Sequence, residues 1–273
     1  METIKDIAPI KSGGGITLPP RINALGVGIS VLNLQSALNL ISFALNNKLK
    51  GYITVTGVHG VSEAQNDPQF KRILNRSFLC TPDGMPLVWL GRYYYKYKEM
   101  DRVYGPDLMK LVCEWSKQRE YSHFLYGGLP GVAESLKQKL QTDYQGIKIV
   151  GCFTPPFRPL NLSEEQDFIK LIHNTKPDII WVGLSTPKQE RFMAQYIDKL
   201  DTTLMIGVGA AFDFLTGRVK QAPHWMRRAG LEWLYRMASE PKRLIPRYLK
   251  NNPFFLFRIA LQISGLKKYS LED

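Results

Sequence analysis

The chain has 273 residues, 44% of them hydrophobic, and a formal net charge of +12 at pH 7. That length and apolar fraction are enough for a proper core and exclude a low-complexity or disordered chain. The charge is uneven: between Arg218 and Lys268 twelve Lys and Arg stand against Glu232 and Glu240 alone, which puts +10 in this segment and points to an anionic partner, whether nucleic acid, an anionic membrane surface or a phosphorylated substrate.

Residues 1–25 are mixed polar and glycine-rich without the apolar stretch of a signal peptide, so a flexible leader is expected there. Cys80, Cys113 and Cys152 have neither metal-ligand spacing nor a paired framework, which suits a reducing, cytoplasmic compartment. No apolar run is long enough to span a bilayer. Beyond the leader, short strand-like runs alternate with amphipathic helical ones. GYITVTG, SHFLYGG, IKIVGCF, PDIIWVGLS and TLMIGVGAAF are rich in β-branched or aromatic residues and bounded by Gly, Pro or Asp, as buried parallel strands are. Between them, GVAESLKQKLQTDY and SEEQDFIKLIHNTK read as helices, the second opening on a capping box of Ser163 and Gln166. The alternation predicts an α/β fold: a Rossmann-like parallel sheet with helices on both faces over residues 26–217, followed by a basic helical C-terminal appendage over 218–273.

In such folds ligands sit beyond the carboxyl ends of the strands. The residues there are GVHG after YITVT, TPDG after SFLC, GGLPG after HFLY, TPKQE after WVGLS and AAFDF after MIGVG. Asp83 in TPDG has two readings, a turn residue between Pro82 and Gly84 or a proton acceptor. Gly127 and Gly128, just before a helix, could bring backbone N–H groups and the helix dipole to a diphosphate, although a tight strand-to-helix turn needs glycine anyway. Asp213 could hydrogen-bond a ribose hydroxyl or serve as an ordinary N-cap. His59 could be a base or ligand, or simply structural. There is no D-x-D carboxylate pair for a divalent ion and no zinc spacing among His123, His173 and His224, so no metal or cofactor is expected and arginines would neutralise phosphate charge.

In the tail, Trp225, Ala229, Trp233 and Met237 recur every four residues on one helical face, with Arg228, Glu232 and Arg236 on another, until Pro241 interrupts the helix. Aromatics interleaved with cations on short amphipathic helices are the composition of a segment lying in a membrane interface. A basic nucleic-acid-binding protein, or a nucleotide-binding Rossmann protein without catalysis, remains the alternative. The apolar stripe and the lack of a DNA- or RNA-binding motif speak against nucleic acid as a partner.

The segments NDPQF, TPDGMPLVW, DRVYGPDL, FLYGGLPGVAE, PDIIWVGLSTPKQE, IGVGAAFDFLTGRVKQAP and RRAGLEWLYRMASEPKRLIPRY together resemble the WecG/TagA/CpsF family of bacterial glycosyltransferases, from about Gly26 to about Pro253. The resemblance implies an inverting transfer of a sugar from a UDP-sugar to a polyprenyl-diphosphate-linked sugar, in the making of cell-surface polysaccharide or teichoic acid linkage units. The protein would then work peripherally on the inner face of the cell membrane, with homo-oligomerisation left open. It places the general base on Asp83, the donor-approaching turn on Gly127 and Gly128, an amide on Gln189, and diphosphate-binding arginines on Arg236, Arg243 and Arg247. Thr56 and Gly57 fall beside the donor, but many members carry an asparagine where this chain has Gly57, which leaves open whether the donor or acceptor sugar is N-acetylmannosamine, the family's best-known donor, or another.

Overall fold

The computed structural model describes residues 17–271, without the side chains of residues 243 and 247. The expected leader therefore lies outside the described residues as far as position 16. In chain order come β1 (Arg21–Ala24), β2 (Val27–Ser30), α1 (Leu34–Asn46), β3 (Gly51–Thr56), α2 (Val58–Glu63), α3 (Pro68–Arg76), β4 (Leu79–Pro82), α4 (Met85–Trp89) and a π-helical turn, Leu90–Tyr94. Next are α5 (Gly105–Ser116), β5 (Ser122–Gly127), α6 (Val132–Asp143), β6 (Lys148–Phe153), α7 (Leu162–Thr175), β7 (Ile179–Gly183), α8 (Lys188–Tyr196), β8 (Leu204–Gly207) and α9 (Ala211–Leu215). The chain closes with α10 (His224–Arg228), α11 (Glu232–Ser239) and α12 (Pro241–Ile263). The main sheet has six strands in the order β4-β3-β8-β7-β5-β6. β3 runs parallel to β8, β8 to β7, β7 to β5 and β5 to β6, the Rossmann-like α/β arrangement that the alternation predicts.

Two compact units divide the chain. The second comprises Leu38–Val55 and Gly105–Lys220. Its strands read as unbroken apolar runs because both faces are covered: Phe124, Leu125, Ile180, Trp181, Met205 and Ile206 are fully buried. Each such side chain contributes on the order of 2 kcal/mol of burial. His123 also belongs to this core. Trp181 Nε1 donates to its Nδ1 at 3.0 Å, Ser116 Oγ lies 2.8 Å from its Nε2, and burial lowers its pKa to about 4, so it is a neutral packing residue. Helix α7 starts earlier than the sequence suggests. Its capping box joins Asn161 and Glu164, not Ser163 and Gln166, because Glu164 N donates to Asn161 Oδ1 at 2.9 Å and Asn161 N to Glu164 Oε2 at 2.9 Å.

The first unit holds the described residues up to Ala37, Thr56–Tyr104, and the chain from Gln221 onward. β1 begins inside the stretch assigned to the leader and pairs with β2 as an antiparallel hairpin. Its two-residue turn puts Leu25 and Gly26 at φ 56 and 85, the positive values a tight hairpin turn uses. Leu25 tolerates this because its side chain is fully buried and its N–H donates to Gln262 Oε1 at 2.8 Å. Gln262 Nε2 donates in turn to Asn23 O at 2.7 Å, which fastens α12 to the hairpin. Phe255 and Ile259 of α12 enter one buried cluster with Ile22, Ile29, Phe70 and Leu74. The last helix is thus part of this unit's core.

The single tail helix implied by the four-residue spacing is broken. α10 stops before Gly230, whose φ of +72 suits glycine, and whose Cβ, if present, would lie 2.9 Å from Trp89. Trp225 and Trp233 therefore lie on separate helices. The break expected at Pro241 is found where α12 begins. Among the described residues no helix is long and apolar enough to cross a membrane.

Candidate active site

Asp83 and the residues Thr56, Arg102 and Glu232 around it belong to the first unit. β4 ends at Pro82, and the turn that follows is held on both sides: Asp83 N donates to Thr56 O at 2.8 Å and Val103 N donates to Pro82 O at 2.8 Å. Gly84 adopts φ +136 before α4, a value glycine takes without strain. Gly57 has a steric reason of its own. A Cβ there would lie 2.6 Å from the carbonyl oxygen of Asp83, so any larger residue forces the Asp83 turn to move. The Asp83 turn is thus seated by backbone contacts from two segments, Thr56–Gly57 and Val103.

Its carboxylate is shared. Arg102 donates from Nε at 3.1 Å and from Nη2 at 2.9 Å, both to Oδ1, and the same Nη2 lies 2.7 Å from Glu232 Oε2 of α11. The Asp83 side chain is 29% exposed, against 15% for Arg102 and 12% for Glu232. Tyr104 lies under the Arg102 guanidinium, 4.3 Å from carbon to ring centre. Burial raises the pKa of Asp83 above its ordinary carboxylate value; Arg102 opposes this most strongly, Glu232 adds to it, and Arg236 also opposes it. Arg102 itself is held firmly charged: burial acts against the cation, but Asp83 and Glu232 outweigh it. Both Arg102 bonds fall on Oδ1, so neither is spent on Oδ2.

A base must be ionised to act, so if Asp83 is the base, kcat/KM should rise with pH through a limb set by Asp83 and lying above about 3.9, the ordinary Asp value. Arg102→Gln removes the strongest force lowering that pKa, so the limb should move to higher pH. A pH–rate profile checks this; a limb that stays in place or moves down contradicts it.

The remaining expected residues fall into two groups. In the first unit, Thr56 and Gly57 adjoin Asp83 as described, and Arg236 acts on it electrostatically while lying 3.6 Å from Glu240 Oε1. His59 Nδ1 lies 2.9 Å from Asn251 Nδ2 of α12 and 3.6 Å from Glu63 Oε1. The side chains of Arg243 and Arg247 lie outside the described residues. In the second unit, Gly127 takes φ +119, and a Cβ on it would lie 2.6 Å from Gly183 O, while Gly128 N donates to that oxygen at 3.0 Å. Close backbone approach already requires these glycines. Gln189 is buried, donating from Nε2 to Glu190 Oε1 at 3.0 Å and accepting from Gly209 N at 3.0 Å. Its amide ties α8 to the turn after β8. Asp213 is not an N-cap: it lies inside α9, 3.4 Å from Arg218 Nε.

Sequence reasoning did not single out Arg102, Tyr104 or Glu232 as site residues. Nineteen positions separate Asp83 from Arg102 and no local spacing rule connects them. The available signal was the segment DRVYGPDL, which carries Arg102 and Tyr104.

Asp83 and Arg102 thus lie just beyond the carboxyl end of β4 in a Rossmann-like α/β chain, the position where such sheets bind ligands. The chain belongs to the glycosyl transferase WecG/TagA/CpsF family, whose model matches residues 22–269. It is 30% identical over 209 residues to the N-acetylglucosaminyldiphosphoundecaprenol N-acetyl-beta-D-mannosaminyltransferase of Bacillus subtilis (strain 168), an alignment covering 75% of this chain and 79% of that one. The protein is therefore a glycosyltransferase.

Proposed function

We propose that the protein transfers an N-acetylhexosamine or hexose, with inversion, from a UDP-sugar to a polyprenyl-diphosphate-linked sugar during synthesis of cell-surface polysaccharide or teichoic acid linkage units. The observation that carries this reading is Asp83, a part-buried carboxylate of raised proton affinity at the end of β4. A sugar hydroxyl is a weak nucleophile near neutral pH. Asp83 Oδ2 takes its proton as the acceptor oxygen bonds to C1 of the donor and the C1–O bond to the diphosphate breaks, so the electron pair leaves with UDP. Guanidinium groups, Arg236 first, balance the charge gained by UDP in place of a metal ion. The acceptor assignment is supported by the Bacillus subtilis relative, whose name specifies an undecaprenol-diphosphate-linked N-acetylglucosamine. Its sugar, N-acetylmannosamine, is the first donor to try beside other UDP-N-acetylhexosamines, since Gly57 fixes the local shape differently from an asparagine. UDP release from each donor, with and without polyprenyl-diphosphate-N-acetylglucosamine, is the test. Consumption of one donor only when the acceptor is present is expected; release from none of them overturns the substrate assignment.

The same reading places the basic segment, 218–273, at the inner face of the cell membrane as a membrane-associating part of the enzyme. α12 supports it. One stripe of the helix, Leu244, Phe255 and Ile259, is buried, while another, Leu249, Leu256 and Phe257, is 61–65% exposed, with Lys250 and Arg258 beside it. Anionic headgroups favour such cations by about 1 kcal/mol each. Replacing Leu249, Leu256 and Phe257 together by Gln should weaken sedimentation with anionic vesicles by at least about tenfold per side chain. Because these side chains are largely in solvent, Tm should stay within a few degrees of wild type. Unchanged sedimentation contradicts the assignment.

A further inference from the structure

The tail segment between Arg218 and Lys268 carries twelve cations and two acids, and both acids lie against arginines of the Asp83 environment: Glu232 on Arg102 at 2.7 Å and Glu240 on Arg236 at 3.6 Å. A solvated basic surface gives no reason for that placement. Glu232 is 12% exposed and forms an ion pair with the Arg102 guanidinium. Arg102 in turn is divided between two carboxylates through one nitrogen, Nη2. Removing Glu232 frees that guanidinium to rotate away from Asp83 or to collapse onto it.

We infer that Glu232 is a positioning residue for the transfer: by holding Arg102 at the same Nη2 that meets Asp83, it keeps the guanidinium on Oδ1 and leaves Oδ2 for the acceptor hydroxyl. α11 thereby completes the base from the tail. This rests on Asp83 being that base, and it adds a residue and a role to it. The charged and titratable groups facing the Asp83–Arg102–Glu232 set are Arg236 on α11, Tyr104 beyond Arg102, and Arg227 on α10, which lies over the Tyr104 ring at 5.5 Å.

The test uses the full chain with Glu232→Gln, Glu232→Asp and Asp83→Asn, measured for kcat, KM and the pH dependence of kcat/KM. Glu232→Gln removes a negative charge that helps keep Asp83 protonated, so the acid limb should move to lower pH, and kcat should fall about tenfold with KM little changed. Glu232→Asp keeps the charge but withdraws it by one methylene, so kcat should fall severalfold while the limb stays near its wild-type position. A purely structural role would lower yield or Tm and leave the limb of the remaining active enzyme unmoved, and that result overturns the inference. If Glu232→Gln does not fold, Glu232→Asp decides alone: wild-type kcat overturns it. Asp83→Asn separates the two levels. Full turnover in that variant removes the base itself, whereas an inactive Asp83→Asn beside an unmoved limb in Glu232→Gln removes only the positioning role of Glu232.

Discussion

Asp83→Asn is expected to lower kcat by about two to four decades, the range of a lost general base, while donor binding stays near wild type. The amide keeps the shape and turn chemistry of the carboxylate, and the Asp83 N to Thr56 O bond that seats the turn is untouched. Stability should not fall either. Burial raises the folded-state pKa of Asp83, so the stability its protonated form contributes is present below about 3.9 and is lost as pH rises through the folded value. At neutral pH the ionised side chain works against the fold, and Asn removes that charge. Tm at pH 7 should therefore equal or exceed wild type, with Arg102 still held by Glu232. An unfolded variant, or one that turns over normally, returns Asp83 to the role of a turn residue.

Arg236→Ala should reduce kcat/KM by about two decades, the scale of one lost electrostatic donor to a leaving group that gains charge. The side chain is 19% exposed on α11 and close enough to Asp83 to lower its proton affinity. Its loss should therefore also move the acid limb upward, opposite to the shift from Glu232→Gln. Arg236→Lys should recover part of the rate, since it restores the point charge without the planar fork that matches a phosphate. Turnover should persist in EDTA. Abolition by EDTA with recovery on adding Mn²⁺ would give the charge-balancing role to a metal, and an Arg236→Ala rate within about threefold of wild type would remove Arg236 from it.

The positions of the main strands along the chain were legible because parallel strands covered on both faces write themselves as apolar runs, as in Ile179–Gly183 and Leu204–Gly207. The β1–β2 hairpin was not legible: its turn places Leu25 at positive φ, and only the tertiary contacts of Leu25 make that conformation tolerable. The split between α10 and α11 was hidden for a related reason. A four-residue spacing survives across Gly230, and the crowding by Trp89 that makes glycine necessary there comes from a segment far away in sequence. Asp83 could be found by its position after a strand. Arg102 and Glu232 could not, since a charge pair spanning more than a hundred residues leaves no periodic trace. Gln189 shows the converse, a motif residue whose amide is engaged with Glu190 and Gly209.

The anomeric configuration of the product decides most directly whether Asp83 acts as a base in one displacement. A carboxylate can also attack C1 itself, and that route, through a covalent sugar ester and a second displacement, would preserve the donor's configuration. A single displacement with Asp83 Oδ2 accepting the acceptor proton inverts it. NMR of the glycosylated lipid product formed from an α-linked UDP-N-acetylhexosamine should show a β linkage, formed by the wild type and lost with Asp83→Asn. An α linkage would contradict the assignment of Asp83 as the base.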